Sequence, residues 1–182
     1  MAHGILIESL IEAENVDKLQ RSFVATADVD GGGVVSLTAP TTQGDNVWTA
    51  TAGYVEGNTI AIAYNPQNHF TDVNGKRYAG LSADDRDYTN LANEVGGAFI
   101  PRKDDEIIVT NEDIVTSTLA LAVAGNYLVP TASDFRWTAT DTKPQSGVVL
   151  QIENVEKYQF PPVKGSIGFS VQNAVKAVVI AD

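Results

Sequence analysis

The chain has 182 residues, 43% of them apolar, with a mean hydropathy of -0.06 and a formal charge of -11 at a pI near 4.4. That is enough apolar side chain to build a core in one domain, or in one domain plus an arm, and too much for a disordered chain. The acidity argues against nucleic acid and anionic lipid as partners, since both need clustered Lys and Arg, and the only basic pairs are Lys76-Arg77 and Arg102-Lys103.

Val, Ile and Thr number 49 against 10 Leu and 1 Met. β-branched side chains are stiff at χ1 and pack well on a pleated surface, so this bias favours sheet over helix. In chain order, residues 1–30 stand apart. Ile7, Leu10, Ile11 and Glu14 have helical spacing, whereas Ser22-Phe23-Val24-Ala25 reads as extended. The stretch closes on Gly31-Gly32-Gly33, which reads as a flexible joint. Residues 1–32 are therefore expected to form an N-terminal arm or edge element; a first helix packed on the core is the alternative. Residues 33–182 are expected to form a single β-rich domain. Ile5-Leu6-Ile7 is interrupted by Glu8, Glu12 and Glu14 and lacks a basic leader, so no signal peptide is expected. No segment approaches the roughly 20 apolar residues of a membrane span.

Past Gly33, strands are expected at Val34–Leu37, Val47–Thr51 and Thr59–Tyr64. The last places Ile60, Ile62 and Tyr64 on one face. Residues 65–105 read as long polar loops, with a short helix near Asn90–Val95 and a hairpin turn at Asn74-Gly75. Glu106–Thr110 restarts the sheet. Asn111-Glu112-Asp113 opens a turn or caps a short helix through Ala124. Strands are expected again at Tyr127–Pro130, Phe135–Ala139, Val148–Glu153 and Ala174–Ile180. One echo stands out: Thr42-x-x-Asp45-x-x-Trp48-Thr49-Ala50-Thr51 recurs as Thr131-x-x-Asp134-x-x-Trp137-Thr138-Ala139-Thr140. It is either an internal pair of β-units around Trp48 and Trp137 or two similar turn-to-strand entries.

Catalytic and metal patterns are weak. The chain has no cysteine, so disulfides and thiolate metal sites are excluded. The two histidines, His3 and His69, complete no Ser/His/Asp order and no HExxH. Asp28-x-Asp30-Gly31 starts like a calcium loop, but an Ala39 stands where the twelfth-position Glu belongs. Asp84, Asp85 and Asp87 with Asp104, Asp105 and Glu106 are enough carboxylates for an acid pair, yet Arg86, Arg102 and Lys103 lie among them as counter-charges. No catalytic residue, metal site or cofactor is expected. A hydrolase working through these acidic loops is a remote alternative.

Several stretches share the look of a known family. They are Gly4-Ile5-Leu6-Ile7-Glu8-Ser9-Leu10-Ile11-Glu12-Ala13-Glu14-Asn15, Tyr78-x-Gly80-Leu81 with Asp85-x-Asp87-Tyr88-Thr89-Asn90, and Phe99-Ile100-Pro101. Asp105–Thr110, Gly125–Pro130 and Ala177–Ile180 complete the set. Together they resemble the head decoration, or cement, proteins of tailed phages and prophages, through loose patterns spread over most of the chain. The resemblance implies a virion structural protein, made in the host cytoplasm and located on the capsid surface. It would bind the major capsid protein, clamp neighbouring subunits, and oligomerise.

The expected fold is thus mainly β: an antiparallel sandwich or barrel-like domain with an N-terminal arm and at most one or two short helices. The expected capsid-binding residues are the apolar side chains of that arm, Ile5, Leu6, Ile7, Leu10 and Ile11, acting by strand addition or burial on the partner. The rival reading is another virion module, from tail or baseplate or binding carbohydrate, for which Tyr54, Tyr64 and Tyr78 are the candidate aromatics.

Overall fold

The computed structural model describes residues 3–14, 16–42, 44, 46–66, 70–73, 76–79, 85–145, 147–160 and 170–181. The fold is mainly β, as expected. Its strands are β1 (Leu6–Leu10), β2 (Gln20–Ala25), β3 (Val34–Pro40), β4 (Val47–Thr51), β5 (Thr59–Ala63), β6 (Phe70–Val73) and β7 (Lys76–Ala79). They continue with β8 (Val95–Phe99), β9 (Glu106–Thr110), β10 (Tyr127–Pro130), β11 (Trp137–Thr140), β12 (Val149–Phe160) and β13 (Ser170–Ala181). Helical structure among the described residues is confined to short 3-10 turns such as Asn111–Asp113 and Thr116–Leu121. The helix expected near Asn90–Val95 does not form. Asn90 instead donates its side-chain amide to the carbonyls of Val29 and Tyr64, both at 3.0 Å, and Val95 opens β8.

The strands assemble into two main bodies. Strands β2-β4-β3-β5-β8 close a five-stranded barrel, and β1-β9-β13-β12-β10-β11 form an antiparallel sheet. Within the barrel only β2 and β4 run parallel. β6 and β7 make a separate hairpin in which Val73 faces Lys76. That leaves two residues for the turn expected at Asn74-Gly75, which themselves lie outside the described residues.

The continuous apolar run of β5 follows from this arrangement. Ala61 and Ala63 join Phe23, Ala25, Val35, Leu37, Ala50 and Ala98 in one buried cluster. Its many alanines suit the narrow interior of a five-stranded barrel. Ile60 and Ile62, on the alternate face, join a larger cluster with Val34 and Phe99 of the barrel and Leu6, Ile107, Val109, Leu150, Val175 and Val179 of the sheet. Period 2 is preserved, but both faces are buried, because a barrel wall packed on a sheet has no wet side. Tyr64 continues the outer face and meets Phe99 with ring centroids 5.2 Å apart.

The boundary expected at residue 32 is not a division of this fold. β1 lies in the sheet and β2 closes the barrel between β4 and β8. The triple glycine is likewise no flexible joint. All three residues are buried, and Gly32 has φ +87°, with Asp113 and Val109 each 3.0 Å from where a Cβ would sit. A Cβ on Gly31 would collide with Asn65. The backbone is bare here because two bodies and a loop converge on it.

The two echoing segments occupy different bodies but build the same local device. Pro40 faces Trp48 across β3 and β4, and Pro130 faces Trp137 across β10 and β11. In each, the residue after proline donates its N–H to the carbonyl just before tryptophan: Thr41 to Val47 at 2.7 Å, and Thr131 to Arg136 at 2.9 Å. Their surroundings differ. Trp137 is fully buried and its indole N–H donates to the Gly32 carbonyl at 2.8 Å, whereas Trp48 is half-buried.

Candidate functional site: the N-terminal strand and the acidic cleft beside it

The residues expected to dock on a partner lie in and around β1, and the structure splits them. Ile5, Leu6 and Ile11 are 3%, 2% and 4% exposed, inside the protein's own core. They are not available to a capsid, which corrects the reading of residues 1–32 as an arm that buries these side chains elsewhere. The reason is local supply: β9 has an edge to fill, and filling it from the same chain avoids the entropy lost on association. Ile7 is half-buried opposite Ile108. Leu10 alone of the five is open, at 66% exposed, next to a register shift between Glu8 and Leu10.

Side chains hold this strand where a neighbouring strand would otherwise be needed. The Ile5 N–H donates to Thr110 Oγ1 at 3.0 Å, and the Thr110 N–H returns to the Ile5 carbonyl at 3.2 Å. Asn65 bonds both the N–H and the carbonyl of Leu6. Asp105 accepts the Glu12 N–H at 2.8 Å while bracing its own loop through the Arg102 N–H at 2.7 Å. Sequence reasoning assigned none of these roles. Asn65 reads only as part of a long polar loop, Asn111-Glu112-Asp113 as a turn or a helix cap, and Asp105 as part of an acidic run.

Beside the start of β1 lies an open cleft of about 380 Å³, lined by His3, Asp28, Asp30, Asp113, Asp134, Phe135 and Arg136. Asp30 accepts the Gly4 N–H at 3.1 Å and meets His3 Nδ1 at 2.8 Å. Asp28 accepts the Ala92 N–H at 2.8 Å. Both aspartates of the calcium-like motif are thus engaged with the protein, and no group of three or more His, Asp or Glu converges as a metal site among the described residues. Arg136 and Asp134 pair at 2.7 Å across the cleft wall. Burial alone would raise the Asp134 carboxyl, but the hydrogen bonds and charge of Arg136 outweigh it and hold the group below its ordinary range. Asp113 is fully buried behind them, and burial first, then the charges of Asp30 and Glu112, push it well above the usual aspartate value.

The other candidates are dispersed. Asp85 and Asp87 sit in a 3-10 turn, and Glu106 bridges to Lys176 at 2.8 Å, far in role from the loop-bracing Asp105. Asp84 and His69 lie outside the described residues. Of the tyrosines, Tyr54 is 43% exposed and faces Gly147, Tyr64 is committed to Phe99, and the side chain of Tyr78 lies outside the described residues. The described aromatics therefore do not form an exposed row. Tyr158, hydrogen-bonded to Glu156 on β12 at 2.8 Å, is pushed up to about 12 by burial and by that carboxylate.

The class these observations define is a mainly β protein in which a five-stranded barrel and a six-stranded sheet share one core. Comparison with protein-family models, curated proteins and solved structures found no match to this chain.

Proposed function

We propose that this is a virion structural protein that binds the outer surface of a tailed-phage capsid and stabilises contacts between capsid subunits. The support is the resemblance carried by Gly4–Asn15, Tyr78–Asn90 and Gly125–Pro130. It is a binding role, not an enzymatic one, with the major capsid protein as partner, the capsid surface as location and self-association as the means of spanning several subunits.

The observation that carries the mechanism is the exposure of Leu10 on the outermost strand of the sheet. A large aliphatic side chain held on a sheet edge is a contact suited to strand addition or to a groove on a neighbour. The net charge of -11 keeps free copies from aggregating. Leu10 replaces Ile5, Leu6 and Ile11 as the binding element, because those three hold the fold together. The test is electron microscopy of phage heads with and without the protein, under heat or chelator stress, using wild type and Leu10→Asp. Added surface density and better survival with wild type, lost in the variant, are the expected result. Equal survival with no added density would sink the reading.

A further inference from the structure

We propose that the buried Asp113 carboxyl, set against Asp30 and His3, is a proton-operated latch on the N-terminal strand: protonated, it lets residues 3–6 dock on the sheet, and ionised, it loosens them. This stands apart from capsid binding, and a failure to bind heads leaves it untouched.

Asp113 is 0% exposed, and its Oδ1 has no hydrogen-bond partner among the described residues. Its Oδ2 has a long contact, 3.4 Å to Thr110 Oγ1, and hydrogen bonding from Thr110 favours the anion only in part against burial. Thr110 Oγ1 is the same atom that accepts the Ile5 N–H. The carboxyl is packed directly on Gly4, where a Cβ would collide with it, and against Gly32, where a Cβ would lie 3.0 Å from Oδ2. A carboxylate anion here is desolvated, bonded on one oxygen only among the described residues, and pressed on the backbone of the strand it supports. A neutral carboxyl removes most of that cost.

The surrounding anions act in the same direction as burial. Asp30 and Glu112 oppose ionisation, and the Glu112 Oε2 is itself buried without a partner among the described residues. Arg136, the cation facing them from the β10–β11 loop, is already bound to Asp134. His3 pairs with Asp30, and its own N–H is held by the Arg86 carbonyl at 2.9 Å. An acid that holds its proton more tightly in the fold than in the unfolded chain stabilises fully below the ordinary aspartate value of about 4. That contribution is lost as pH rises toward its folded value. The N-terminal strand is therefore tightest in mild acid and loosens in base, uncovering the edge of β9.

The test is NMR on the full chain. The Asp113 carboxyl is followed by its carbon shift, and the Gly4, Ile5 and Leu6 amides by hydrogen exchange, between about pH 5 and about pH 9. Exchange is corrected with amides at the centre of the β12–β13 pair. Expected is titration well above the ordinary range, with at least a tenfold selective loss of protection at the three amides over the same interval; each pH unit below the folded value changes the equilibrium by up to about tenfold. Asp113→Asn, which keeps size and removes titration, flattens that profile. Titration near the ordinary aspartate value, or an unchanged profile in Asp113→Asn, overturns the proposal. If the variant does not fold, the wild-type carbon titration alone decides.

Discussion

Asn65 grips Leu6 by both backbone groups: its Nδ2 donates to the Leu6 carbonyl at 2.8 Å, and the Leu6 N–H donates to its Oδ1 at 2.9 Å. These are the two bonds a neighbouring strand would make, so one side chain caps the sheet edge at Leu6 and leaves Leu10 beyond it open. Asn65→Ala leaves both groups without that partner beside a buried side chain. The expected cost is about 1–3 kcal/mol. Urea unfolding should show a lower midpoint at an unchanged slope, together with faster exchange of the Leu6 amide. An unmoved midpoint would mean that water replaces the clamp at no cost.

Removal of residues 1–32 tests the place of the N-terminal segment in the fold. A chain starting at Gly33 loses β1 from the sheet and opens the barrel between β4 and β8. It also loses Leu6, Ile11, Leu19 and Phe23, each no more than 4% exposed. Burial of each contributes about 1.5–3 kcal/mol against a total stability of about 5–15 kcal/mol. The truncated chain should show no cooperative melt by circular dichroism. A truncation that melts near the wild-type temperature would return the segment to the status of an arm.

The two tryptophans should answer differently to the same substitution. Trp137→Phe leaves the buried Gly32 carbonyl without its indole donor and opens a small cavity, at a cost of about 2–4 kcal/mol. Trp48→Phe removes an indole N–H that has no partner among the described residues, and should cost about 1 kcal/mol or less. Equal losses in thermal melts of the two variants would refute the assignment of Trp137 as the staple between sheet and barrel.

The legible part of the candidate site was its composition, and the illegible part was its partners. Leu6, Leu10 and Ile11 were visible as apolar residues near one another, but exposure separates Leu10 from the other two only through the β1–β9 register. Asp113 read as one letter of a turn. Its burial arises from the close approach of Gly4 and Gly32, at sequence distances where no spacing rule operates.

Within the sequence alone lay the mainly β class, the alternating faces of Thr59–Tyr64 and the echo of the two turn-to-strand entries at Trp48 and Trp137. All of these depend on turn chemistry and side-chain alternation within about ten residues, which a linear reading captures. Tertiary structure alone decided that the N-terminal segment is a clamped strand, that three consecutive glycines are a packed crossing, and that Trp137 secures Gly32. The bonds responsible join Leu6 to Asn65, Ile5 to Thr110 and Trp137 to Gly32, across 59, 105 and 105 residues. Contacts at such separations form only once the barrel and the sheet have brought their chains together, so nothing in the local order of residues announces them.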